Sequence, residues 1–149
     1  METVMNKGSA KSVVHNPELT HGTMGCHALA PTRAFYEKEM RLRCVQHAAV
    51  GQLVTGSCEF GIACLRAGDN LPAQGPQNQW VIAAPDEDAF EAMYADMQSS
   101  DFVSELGPVL TEGARKSFLV KSNDSIWWKV TNLNEAYYDA LFEAGDVAV

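Results

Sequence analysis

The sequence predicts an α+β fold: two βαβββ modules forming a cup-shaped mixed β-sheet with outer helices. Three observations carry this prediction. A strand, a helix and three short strands follow one another over residues 20–66, and the same order recurs over residues 79–131. Phe90, Met93, Tyr94 and Met97 fall at i, i+3, i+4 and i+7, the apolar stripe of an amphipathic helix. Residues 117–131 (SFLVKSNDSIWWKVT) read as a hairpin, two β-type runs around the turn formers Ser122, Asn123, Asp124 and Ser125. Two curved sheets, each with a helix behind it, leave inner faces that can line a ligand site.

Residues 1–19 mix Lys, Ser, Asn and Pro without periodicity and read as a flexible arm ahead of a single domain over 20–149. Residues 20–29 (THGTMGCHAL) read as a strand despite Gly22 and Gly25. Alternation there places His21, Thr23, Gly25 and His27 on one face and Met24, Cys26 and Ala28 on the other. A glycine inside a strand often marks the close approach of a ligand or a second backbone. Pro31 suits the first residue of a helix that continues over 32–40 (TRAFYEKEM), with Phe35, Tyr36 and Met40 on its apolar side. Short β-type runs follow at 43–48, 52–56 and 60–66, then a connecting loop, 67–77 (AGDNLPAQGPQ).

The second module opens with a strand at 79–84 (QWVIAA). Pro85 and the acids Asp86, Glu87 and Asp88 then start its helix, where negative charge suits the helix dipole. Residues 99–107 read as a loop or short irregular element, and 109–111 as a short strand before the hairpin. On the last strand Trp127, Lys129 and Thr131 share one face, while Ile126, Trp128 and Val130 share the other. A slip of one residue would exchange the two tryptophans. The tail offers one short helix over 137–144 before Gly145.

The chain has 149 residues, 46% hydrophobic and 20% charged, which is ordinary globular composition and enough for one core. Its net charge of −8, from 19 acids against 11 bases, and the absence of a basic stripe argue against nucleic acid as a partner. Cys26, Cys44, Cys58 and Cys64 form no CxxC pair and sit in or beside β-type runs, so they read as reduced core thiols. The N-terminus has no secretory apolar region, and no apolar run reaches the roughly 18 residues of a membrane span. The expected setting is cytoplasmic, with no membrane partner.

These residues resemble the vicinal oxygen chelate superfamily, which includes glyoxalase I, extradiol ring-cleaving dioxygenases and bleomycin- and fosfomycin-resistance proteins. Residues 21–49 (HGTMGCHALAPTRAFYEKEMRLRCVQHAA) resemble its opening strand, its "AxxFYE" helix and the strand beyond. Asn78-Gln79-Trp80 resembles the "N-H-W" that opens its second module, and Asp124–Val130 (DSIWWKV) its "D-G-N-W-W-E-I". The resemblance covers residues 20–131 and extends to FEAGD at 142–146.

In that family two histidines and a glutamate from these motifs bind one divalent ion. The first position is matched here by His21, but the second is Gln79 and the third is Lys129. A divalent site of this kind needs imidazole and carboxylate lone pairs, whereas glutamine offers a neutral amide and lysine a positive charge. Two such charges about 4 Å apart repel by several kcal/mol at intermediate dielectric. The resemblance therefore implies the fold with a lost metal site, and we expect neither metal nor other cofactor.

In the family the ion stabilises an enolate or related anion, and an ammonium at the same place can do so as a fixed cation and donor. If desolvated, Lys129 could instead act as a base or form a Schiff base. His21 is then the natural proton carrier, and Gln79 orients a carbonyl or hydroxyl. The implied function is a metal-independent lyase or isomerase, cyclase-like rather than an oxygenase, acting on a polyketide-like or aromatic small molecule of secondary metabolism. Trp127 and Thr23 would contact that substrate, with Glu112 and Arg115 near further active-site positions of the family.

Other readings stand beside these. Lys129 can reach solvent along its stem, and His21 can be structural. His27 lies six residues beyond His21, about 20 Å along an extended strand, so it either contacts substrate elsewhere or packs. The alternative function is a non-catalytic small-molecule binding protein of the same fold. The acidic balance suits a cationic ligand, while Lys129 in the cup argues the other way. A homodimer is a further expectation, by analogy with two-module members.

Overall fold

The computed structural model describes residues 21–56, 61–133 and 135–148. The arm over 1–19, His15 and Cys58 lie outside the described residues. Strand β1 (His21–Cys26) leads into α1 (Leu29–Ala34), which continues as a π-helical turn over Phe35–Glu39. Strands β2 (Arg43–Ala48), β3 (Gly51–Thr55) and β4 (Gly61–Arg66) complete the first module. The second consists of β5 (Gln79–Ala83), α2 (Glu87–Met97), β6 (Val103–Leu106), β7 (Leu110–Glu112), β8 (Arg115–Ser122) and β9 (Trp127–Thr131), followed by α3 (Glu135–Ala144). No helix is long and apolar enough to cross a membrane among the described residues.

The architecture is α+β, two βαβββ modules with mixed, cup-shaped sheets, as the sequence predicts. The first sheet has the order β1-β4-β3-β2 and the second β5-β9-β8-β6, with β7 also on β8. In each, the module's first strand runs parallel to the last and the remaining pairs are antiparallel. The first strands, β1 and β5, are therefore edges.

Among the elements that differ from expectation, β1 ends at Cys26 and does not run on to residue 29. The first helix starts at Leu29, two residues before Pro31. Proline is still in the first turn, where its missing N–H has no intrahelical acceptor to lose. The helix widens beyond Ala34, with Met40 N–H reaching Phe35 O at 3.1 Å, and ends at Arg41 in the left-handed region at φ 60°. Inside 99–107, Val103–Leu106 is a strand, and β7 begins one residue later than expected. Both pair with β8, so together they act as one strand interrupted by Gly107, Pro108 and Val109.

Both modules bury into one core. Met24, Cys26, Val54, Ile62 and Cys64 from the first sheet join Phe118, Val120, Trp128 and Val130 from the second. Phe35, Tyr36 and Met40 fill the space with Phe90, Met93 and Met97 of α2. Tyr36 bridges the modules: its hydroxyl donates to Met24 Sδ at 3.3 Å, and its ring meets Trp128 edge-on at 5.8 Å. Gly22 is needed at the same junction. A Cβ there would lie 2.8 Å from the Trp80 ring, so what approaches this strand glycine is an indole rather than a ligand.

The buried Asp124 joins the hairpin turn to the β1–α1 junction. It accepts the His27 backbone N–H at 2.8 Å with one oxygen and the Thr32 hydroxyl with the other. Removing the carboxylate strands two donors in a buried place. We expect Asp124→Ala to lose about 3 kcal/mol and Thr32→Val about 1 kcal/mol in urea unfolding. An unchanged midpoint for Asp124→Ala would remove this clamp from the account of the fold.

Candidate functional site

Each sheet gives one face to the core and leaves the other open. On the second sheet the open face carries Gln79 and Val81 of β5, Trp127 and Lys129 of β9, and Leu119 and Lys121 of β8. Register pairs Val81 with Lys129 and Lys129 with Leu119, while Gln79 pairs with Trp127 and Trp127 with Lys121. Lys129 is thus on an interior strand between two apolar neighbours, half-buried, and has no hydrogen-bond or ion-pair partner among the described residues. Four other cations differ. Arg33 pairs with Glu37, Arg41 with Asp96, Lys116 with Glu87 and Lys121 with Glu105.

Trp127 is fixed from two sides. Its indole N–H donates to Gln74 O at 3.0 Å, and Lys121 Nζ lies 5.8 Å from its ring centroid. The expected face is therefore the observed one: Trp127 is partly exposed with Lys129, while Trp128 is buried. Gln79 donates from Nε2 to Pro76 O at 2.9 Å, which leaves Oε1 as its remaining acceptor. Gln79 and Thr23 together line a cavity of about 490 Å³ under the inter-module loop, with Gln74, Gln77, Asn78 and Trp80.

His21 lies elsewhere. It lines a second cavity, about 330 Å³, on the open face of the first sheet with Arg43, Val45, Leu53 and Thr55. Lys129 lines neither of these two cavities. His27 donates its Nδ1 proton to Gly68 O at 2.6 Å while its backbone holds Asp124, which are packing contacts. Glu112 and Arg115 face each other across the turn at Gly113, exposed, with the Arg115 guanidinium 5.9 Å from the Tyr137 ring.

The structure thus places Gln79, Trp127 and Lys129 on the open face of the second sheet and His21 on that of the first. It also adds residues that sequence reading passed over. Asp124 looked like a turn former, and Arg43 was simply the first residue of a strand. Its parity with Val45 was the signal that both share an open face.

The donor set does not fit the divalent ion that the family resemblance implies. No three His, Cys, Asp or Glu side chains converge among the described residues. Gln79 has turned its amide nitrogen to Pro76, and Lys129 brings a charge of the wrong sign.

The three described cysteines are poor nucleophiles. Burial pushes the Cys64 thiol up to about 12 and the Cys44 thiol up to about 11 from an ordinary 9.0, and it raises Cys26 as well. At pH 8 we expect Cys44 and Cys64 to react with iodoacetamide about 100-fold more slowly than a free thiol, and Cys26 more slowly as well, read by peptide mass spectrometry. The folded state keeps these protons after the unfolded chain has lost its own. Their stabilising contribution is therefore full below pH 9 and lost as pH rises toward 12. Fast native labelling at any of the three would contradict both expectations.

No protein-family model matches the chain, and no curated protein matches it. Solved structures do. The fosfomycin resistance protein FosX from Listeria monocytogenes superposes with a TM-score of 0.69 at 13% identity, covering 85% of this chain and 100% of that one. A possible glyoxalase from Bacillus cereus gives 0.62 at 13% identity, covering 76% and 96%. The oxidase ChaP-H2 gives 0.65 at 10% identity, covering 80% and 96%. The chain has the vicinal oxygen chelate fold. Three differently named proteins share it, so activity has to be argued from this chain's own residues.

Proposed function

We propose that this protein is a metal-independent lyase or isomerase acting on an aromatic or polyketide-like small molecule. The observation that carries the reading is Lys129, an unpaired ammonium between Val81 and Leu119 on the open face of the second sheet. Against that apolar background it stabilises an oxyanion as charge develops on a substrate carbonyl. Trp127 supplies a flat wall on the same face. Gln79 Oε1 accepts from a substrate hydroxyl. A double-bond shift or cyclisation of this kind moves protons without net oxidation and asks for nothing beyond a proton carrier.

His21 fills that role only if its surface meets that of Lys129, and a second copy of the chain supplies the meeting. Val45 is 57%, Leu53 40%, Leu65 43% and Val81 50% exposed, an apolar surface that a partner sheet would cover. We therefore include a homodimer in the proposal. Sedimentation should give twice the chain mass, and Val81→Asp should give a monomer. Wild-type protein that stays monomeric at 10–100 times the assay concentration, roughly the micromolar range of specific dimers, would exclude this assembly.

Turnover of a panel of enolisable aromatic and polyketide-like ketones tests the chemistry. We expect Lys129→Met to lower it about 100-fold or more, and chelator treatment to leave it unchanged. Wild-type rates in Lys129→Met would defeat the catalytic reading. A second reading rests on His21 and Lys129 occupying different sheets: a binding protein without chemistry, which holds the same compounds but releases them unaltered.

A further inference from the structure

We infer that Arg43 is an anion anchor, and that the cavity on the first sheet takes an amphiphilic anion: an apolar body carrying a carboxylate, sulfonate or phosphate. This rests on the reading of the open sheet faces as ligand-binding and adds to it the charge of what they bind.

Register carries the argument. One row across the first sheet runs Arg43, Thr55, Gly61, His21, and the next runs Val45, Leu53, Ala63, Thr23. Adjacent rows on one face are about 7 Å apart, so a charged head at the first row leaves the apolar body of the same small molecule over the second. Gly61 leaves the polar row open at its middle. A Cβ there would come within 3.0 Å of Val54 O, so the floor between the arginine side and His21 is bare backbone. The resulting hollow, about 330 Å³, is lined by Arg43 and His21 at the polar end and by Val45 and Leu53 beside them.

Charge decides the sign of the ligand. The chain carries 19 acids against 11 bases, and Arg33, Arg41, Lys116 and Lys121 have each taken an acid as partner. Arg43 has no hydrogen-bond or ion-pair partner among the described residues, although it stands at the mouth of a cavity. A guanidinium offers a planar fork of donors that matches a carboxylate, sulfonate or phosphate edge in two bonds. No acid is among the described residues that line this cavity, and the Arg43 charge suits an anion.

The test uses two dyes of nearly the same body, 8-anilinonaphthalene-1-sulfonate and uncharged N-phenyl-1-naphthylamine, titrated by fluorescence against the full chain. We expect the sulfonate to bind about tenfold more tightly. Arg43→Leu should remove that preference by weakening the sulfonate alone, and Arg43→Lys should restore part of it. Arg66→Leu, which removes a cation outside the cavity, should change neither. Equal affinities in the wild type, or a preference that survives Arg43→Leu, would overturn the proposal. A preference lost in Lys129→Met but kept in Arg43→Leu would also overturn it while leaving the role of Lys129 standing. If the Arg43 result holds and Lys129→Met turns over normally, the catalytic reading falls and the anion site remains.

Discussion

The carboxylate of Asp124 reaches from the turn between β8 and β9 to the junction of β1 and α1, across 97 residues to His27 and 92 to Thr32. Much else depends on those two bonds. They hold the end of the second module against the start of the first helix, so Tyr36 can meet Met24 on one side and Trp128 on the other. A buried carboxylate is tolerated only where its oxygens find donors, and a strand-end N–H with a helix hydroxyl supplies them without a countercharge. The clamp also sets the turn from which β9 departs. That places Trp127 and Lys129 on the open face, because a register one residue off would bury the lysine and expose Trp128 and Val130.

Once the helices and the clamp have joined the two modules through a common core, the opposite faces of the sheets stay largely open among the described residues. Their exposed valines and leucines are spaced by strand alternation rather than scattered, which makes two continuous surfaces. The cations on these surfaces follow the same division. Arg33, Arg41, Lys116 and Lys121 each pair with an acid. Lys129, between Val81 and Leu119, and Arg43, in a row with Thr55, Gly61 and His21, have no such partner among the described residues.

The fold was legible because its signals are periodic and local. The stripe from Phe90 to Met97 needs only the spacing of four residues, and the alternation from Ile126 to Thr131 needs only knowledge of which tryptophan is buried. Strand β6 was not legible, since Val103-Ser104-Glu105-Leu106 is too short to show a period and becomes a strand only by pairing with β8. The site divided along the same line. Lys129 stood out because lysine is anomalous within an apolar strand. Asp124 did not, since an aspartate between Asn123 and Ser125 looks like any turn residue until Thr32 is known to lie beside it. That His21 and Lys129 fall on different surfaces is a tertiary fact, and no spacing in the chain encodes it.

Sheet ladders are built from backbone groups, and side chains on an open face contribute little to them. A glutamate and a lysine at position 129 would make the same bonds to β5 and β8. The fold can therefore be kept while the charge at its site reverses. This is why a structural likeness at 10–13% identity fixes the strand order and says nothing of the chemistry. What the lysine changes is the kind of stabilisation on offer. A bound dication concentrates two charges on one point and fixes the directions from which a substrate oxygen can approach. An ammonium spreads one charge over three donors on a flexible stem, so its selectivity must come from the neighbours that confine it. Val81, Leu119 and Trp127 are those neighbours here, and they confine it with apolar surface. That surface weakens the competition from water, and in the proposed function it is what would select a flat, largely apolar substrate whose charge develops at one end.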